Sequence, residues 1–191
     1  MEDSVQPKTR AAWRAWLAKH HERTEGVWLI TYKKAVGKPR IEYDEAVEEA
    51  LCFGWVDSKP GKVDDERSKL WFAPRKAGSG WSRPNKERIE RLMSSGLMQA
   101  AGLAKIEAAK KDGSWTSLDA VENLVVDPDL AAALAAYPKA AQNFDAFPRS
   151  AKRGILEWIA LAKRAETRAA RIAETARLAQ DNVRANQWKP R

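Results

Sequence analysis

The sequence predicts an α+β protein: a small antiparallel sheet of about three strands in the first half, helices packed around it, and an all-helical C-terminal half. Two observations carry this reading. Runs rich in β-branched and aromatic residues (Val27–Tyr32, Trp55–Lys59 and Leu70–Ala73) all fall before Ser82. From Ser82 onward they vanish, and apolar residues recur at helical spacing. A chain of 191 residues, 44% of them hydrophobic, can also bury a full core.

The elements follow in order. Thr9 opens a first helix with Ala12, Trp13, Trp16 and Leu17 on one face, closed by Gly26. The strand Val27–Tyr32 ends at the turn residues Gly37, Lys38 and Pro39. Asp44 caps a second helix whose inner face is Ala46, Val47, Ala50 and Leu51, with Gly54 just past its end. Trp55–Lys59 is the next strand, Pro60 and Gly61 begin a charged connection, and Leu70–Ala73 returns antiparallel. Ser82 then caps a helix running to Gly96, and an Ala-rich helix spans Gln99–Lys111 before Gly113. Shorter helices follow near Ser117–Asn123, from Pro128, and over Pro138–Phe147. Ser150 caps a longer helix presenting Ile155, Trp158, Ile159 and Ala162. A basic helix covers Glu166–Ala185, and Asn186–Arg191 reads as frayed. The composition change divides the chain into residues 1–96 and 97–191, taken as two subdomains of one compact unit.

The bulk properties narrow the function classes. The start Met1, Glu2, Asp3 is acidic, the first helix carries Arg10 and Arg14, and there is no apolar run of about 18 residues, so neither a secretory signal nor a membrane span is expected. Cys52 is the single cysteine, and His20 and His21 are adjacent, where a helix points them about 100° apart. The expectation is a cytoplasmic protein with no metal and no cofactor. The net charge of +8 is concentrated at the end, since residues 149–191 hold 11 Lys/Arg against four Asp/Glu. Arg153, Lys163, Arg164, Arg168 and Arg171 could form a stripe for nucleic acid. Glu157, Glu166 and Glu174 interrupt it as i,i+4 partners, which argues for a salt-bridged surface, and nucleic acid is not the expected partner.

The candidate site lies between Cys52 and Asn85. Trp55 and Asp57 alternate onto one strand face. A carboxylate there pairs with a cation such as Arg75 or acts as a functional acid or base, and the pair is the preferred reading. Pro74 precedes Arg75, and Lys76, Ala77, Gly78, Ser79 and Gly80 lead into Trp81 and the cap Ser82, a geometry that can hold an anion. Pro84 removes one donor. Trp55, Asp57, Trp71, Arg75, Trp81, Ser82 and Asn85 are therefore the expected ligand-binding residues, for a small anionic or amphipathic ligand. Cys52 reads as packing.

The motif Glu49-Ala50-Leu51-Cys52-Phe53-Gly54-Trp55-Val56-Asp57-Ser58, then Phe72-Ala73-Pro74-Arg75 and Ser79 through Arg88, resembles the YdeI/OmpD-associated or bacteriocin-protection family. Ser150–Arg153, Glu157-Trp158-Ile159, Ala162-Lys163-Arg164, Glu166-Thr167-Arg168 and Arg171-Ile172 resemble that family's closing module, so the likeness extends over nearly the whole chain. Ala73 departs from the expected threonine before Pro-Arg. The resemblance implies a bacterial, cytoplasmic α+β protein linked to tolerance of bacteriocins or antimicrobial peptides, and it assigns no catalytic residue. The alternatives are an enzyme using Asp57 as acid or base, and a nucleic-acid module built on the basic C-terminal helices.

Overall fold

The computed structural model describes residues 3–187, which divide after Ser117 into two compact units. In the first, α1 (Arg10–His20) is capped as expected, the Thr9 hydroxyl accepting from Ala12 N–H at 3.2 Å. It ends at His20, six residues before Gly26. The strands β1 (Ser4–Val5), β2 (Val27–Tyr32), β3 (Trp55–Lys62) and β4 (Arg67–Pro74) form one sheet in the order β1-β2-β4-β3. The three expected strands are antiparallel, and the two-residue β1 adds a parallel edge to β2 that carries no readable side-chain pattern.

β3 and β4 are longer than their apolar runs. Pro60 and Gly61, expected in a connection, lie inside β3 at a bulge that separates the Asp57–Phe72 and Pro60–Leu70 pairs. Proline is tolerated there because β3 is an edge strand, where a missing N–H breaks no second ladder. The extra bulge residue also shifts the alternation. Trp55 and Asp57 before it, and Pro60 after it, therefore share a face with Phe72, Leu70, Leu29 and Val27.

That face meets α1 and α2 (Tyr43–Cys52) in a core of Trp13, Leu17, Val27, Leu29, Val47, Leu51, Trp55 and Phe72. The cap of α2 is Glu42 rather than Asp44. Glu42 and Glu45 form a reciprocal capping box, and Asp44 sits in the first turn. Gly54 ends the helix at φ +75°, the left-handed conformation that favours glycine. α3 (Arg83–Ser94) and α4 (Ala100–Asp112) complete the unit. α4 approaches α2 so closely that a Cβ on Gly102 would lie 2.3 Å from the Cys52 carbonyl oxygen.

The second unit is helical throughout its described residues: α5 (Asp119–Glu122), α6 (Pro128–Ala135), α7 (Ala140–Ala146), α8 (Arg149–Ala160) and α9 (Ala165–Gln180). α8 starts one residue before Ser150, with Pro148 in the capping position. α9 packs Ile172, Ala176 and Ala179 inward and contacts α6, α7 and α8. The described part of the stretch expected to fray, Asn186 and Gln187, is exposed. Ala185 is buried and Asn186 donates to Gly154 O at 3.3 Å, whereas residues 188–191 lie outside the described residues.

Candidate functional site

Folding distributes the seven candidate residues over several places. Trp55 is core, 1% exposed, its indole N–H donating to His21 O at 3.0 Å and its ring meeting Trp16 edge-on. Trp71 is on the opposite face of the sheet, in T-shaped contact with Trp28, its paired residue on β2, with Lys59 against both rings. Ser82 stands at the N-cap of α3 by position, but its hydroxyl makes no capping bond. Asn85 accepts from Arg88 at 3.2 Å, and Arg88 in turn pairs with Asp44 at 2.5 Å.

Asp57 and Arg75 do not form the ion pair read from the sequence. Asp57 instead accepts from the Tyr43 hydroxyl at 3.0 Å. Arg75 is buried and lies over the Trp81 ring, its Cζ 3.6 Å from the centroid. Burial pulls the Arg75 pKa down to about 10, and the charge of Asp57, felt at a distance, acts the other way. The reason is geometric: Asp57 looks along the sheet toward the start of α2, while Arg75 leaves the end of β4 and is caught by the loop, its Nη1 donating to Gly80 O at 2.9 Å.

Around Asp57 the sheet's inner face opens into a cleft of about 420 Å³. Leu29, Leu70, Ile41, Ala46 and Pro60 supply apolar walls; Thr31, Ser58, Ser68, Asp57 and Tyr43 supply polar groups. Arg40, at the rim, is held by Glu42. Partial burial, then the charge and hydrogen bond of Asp57, raise the Tyr43 pKa, so its phenol stays a donor at neutral pH. Lys69 also borders the cleft, but its ammonium lies over Trp28, 4.0 Å from the ring centroid.

Sequence reasoning missed Tyr43, Thr31 and Ile41, whose approach to Asp57 depends on the path from β2 into α2. It also missed Glu49, 2% exposed and bonded to Arg10 at 2.5 Å and Arg14 at 2.6 Å. A signal existed, since Glu49 lies three residues from Ala46 on the helix face read as buried. Burial raises the Cys52 pKa above its ordinary value, in keeping with a packing role. In the second unit, Arg153 pairs with Glu122 and Glu157, and Arg168 with Asp127 and Asp129. Glu157 is thus the i,i+4 partner expected of it; the other pairs are long-range.

Among known families, residues 5–105 match the model described as a domain of unknown function (DUF8412), just over half of the chain. The chain belongs to that family. Residues 123–182 match the family described as Bacteriocin-protection, YdeI or OmpD-Associated. The resemblance read from the sequence is therefore shown in the second unit, whereas the Glu49–Arg88 motifs fall inside the DUF8412 match. No curated protein and no solved structure matches the chain. No helix among the described residues is long and apolar enough to cross a membrane.

Proposed function

We propose that the protein binds a small amphipathic molecule in the sheet-face cleft and thereby serves tolerance to bacteriocins or other antimicrobial agents, acting in the cytoplasm. The tolerance role rests on the name of the family matched by residues 123–182. The binding role rests on one observation: an apolar strand face continues past its helical cover and ends at the hydrogen-bonded Asp57–Tyr43 pair. A volume of about 420 Å³ lies within the usual range for small-ligand sites. Leu29, Ile41 and Leu70 would take the apolar body, and Asp57, with acceptor capacity beyond the Tyr43 bond, a donor or cationic end.

Native mass spectrometry of the purified chain tests this reading. A small molecule retained by the wild type and lost in Asp57→Asn, with an unchanged circular dichroism spectrum, is the expected result. Equal retention by the variant would remove Asp57 from the site. A second reading, Asp57 as a catalytic acid or base, is favoured by its freedom from Arg75. An ordinary carboxyl titration for Asp57, followed by NMR, would exclude it.

A further inference from the structure

Arg75 is 5% exposed, yet only one of its three guanidinium nitrogens is engaged. Nη1 donates to Gly80 O at 2.9 Å and Ser79 Oγ at 3.3 Å, and reaches Ser79 O at 3.5 Å. Nε has no partner, and Nη2 makes no hydrogen bond to the described residues. These two N–H groups share the edge of the guanidinium plane that grips a carboxylate or phosphate through two parallel bonds.

That arginine lines a small cavity of about 60 Å³ together with Ser114, Lys76, Lys105 and Asp112. Among the described residues, the two buried side-chain polar atoms without a hydrogen-bond partner are Arg75 Nε and Ser114 Oγ, and both residues line this cavity. Buried polar groups in proteins are nearly always satisfied, so an unpartnered guanidinium edge beside a hollow points to an occupant. Asp112 does not fill the role. Its Oδ1 accepts from Ser114 N–H at 2.9 Å and its Oδ2 from Gly78 N–H at 3.3 Å. The Ser114 hydroxyl, then these N–H groups, hold the Asp112 carboxyl below its usual range. The hydroxyl thus stands beside the carboxylate and can turn to it, which leaves the Arg75 Nε–H as the group that calls for an occupant.

Water in the cavity would satisfy the N–H groups but leave a buried positive charge without a counter-charge. No carboxylate of the described residues lies within ion-pair distance of Arg75, and Lys76 and Lys105 add positive charge at the exposed side.

We propose that this cavity binds a small oxyanion group, a carboxylate or a phosphate, held side-on by Arg75 Nε and Nη2, with Ser114 Oγ as a further donor and Lys76 and Lys105 at the mouth. The volume admits the anionic head alone, so any larger body extends outward past the lysines. The site is separate from the Asp57 cleft and does not depend on it.

The test follows the Arg75 Nε–H resonance of the full chain by ¹⁵N NMR, with the peak assigned by its loss in Arg75→Lys. Inorganic phosphate, acetate and phenyl phosphate are titrated, with sodium chloride as the ionic-strength control. A saturable shift at millimolar oxyanion, absent with chloride, is expected. Lys105→Met should weaken it about tenfold, and Ser114→Ala less. Tighter binding of phenyl phosphate supports the head of a larger molecule as ligand, and equal binding supports a free anion. The absence of a saturable shift with every oxyanion, or a shift that chloride reproduces, overturns the proposal. If Arg75→Lys does not fold, the peak is identified by its displacement in Lys105→Met, and the wild-type titration still decides.

Discussion

Glu49 and Arg75 are about equally buried charges in the same unit, 2% and 5% exposed, and they are treated in opposite ways. Glu49 is surrounded by its answer: Arg10 and Arg14 come from α1 and bond to both of its oxygens. Arg75 has neutral carbonyl and hydroxyl oxygens on one nitrogen and nothing on the edge carrying Nε. A charge closed off by fixed partners is part of the scaffold, while a charge left open beside a cavity has its partner still to come. Burial by itself therefore does not separate structure from function; completeness of pairing does.

The largest effect should come from breaking the closed case. Glu49→Ala should cost about 3 kcal/mol in urea unfolding, because it removes the charge-assisted bonds to both arginines, taking the carboxylate from Arg14 and leaving Arg10 with Glu48 alone. Next, Gly102→Ala should cost about 2 kcal/mol, because the added methyl meets the Cys52 carbonyl and pushes α4 off α2. Since α4 carries Lys105 and ends at Asp112, that variant should also weaken oxyanion binding at Arg75, which would tie the open site to the seating of one helix. By contrast, Arg75→Met keeps an apolar stem over Trp81 and gives up the ring contact and the Nη1 bonds while also removing a buried charge that has no carboxylate partner, so it should change stability by no more than about 1 kcal/mol. A loss as large as that for Glu49→Ala would erase the distinction between the two charges.

The smallest effect belongs to Tyr43. Its folded-state pKa is raised above the ordinary 10.0, so the phenol's bond to Asp57 contributes fully below that pH. The contribution is lost as pH rises through the raised value. The stability difference between wild type and Tyr43→Phe should therefore be constant at neutral pH and shrink in alkali. A difference that grows with pH would show that Tyr43 ionises more easily folded than unfolded.

Much of the scaffold is legible locally. Thr9, Gly54 and Gly113 mark helix ends because capping depends on one residue's hydroxyl or its tolerance of positive φ. The three antiparallel strands follow from their apolar runs, but the length of β3 does not, because its continuation through Pro60 and Gly61 depends on a neighbour strand and a bulge. Nor does the composition change near Gly96 coincide with the division after Ser117: Gly102 packs α4 onto the Cys52 carbonyl and keeps that helix with the sheet.

The candidate site shows the same division. That Trp55 and Asp57 share a face, and that Arg75 and Trp81 belong to one loop, could be read from alternation and proximity in sequence. Trp71, two residues from Ala73 on the same strand, goes to the other face by that same alternation.

The order of residues alone determined the longer helices and the cores of three strands, where most helices stop, and which side chains share a strand face. These are properties of a few neighbouring residues and their dihedral preferences. Only the tertiary structure decided that Asp57 bonds Tyr43 rather than Arg75, that Glu49 is enclosed by α1, and that Ser114 and Lys105 stand around an open guanidinium edge. The electrostatic state of a buried group depends on what distant segments bring within about 4 Å of it, and no local pattern encodes that.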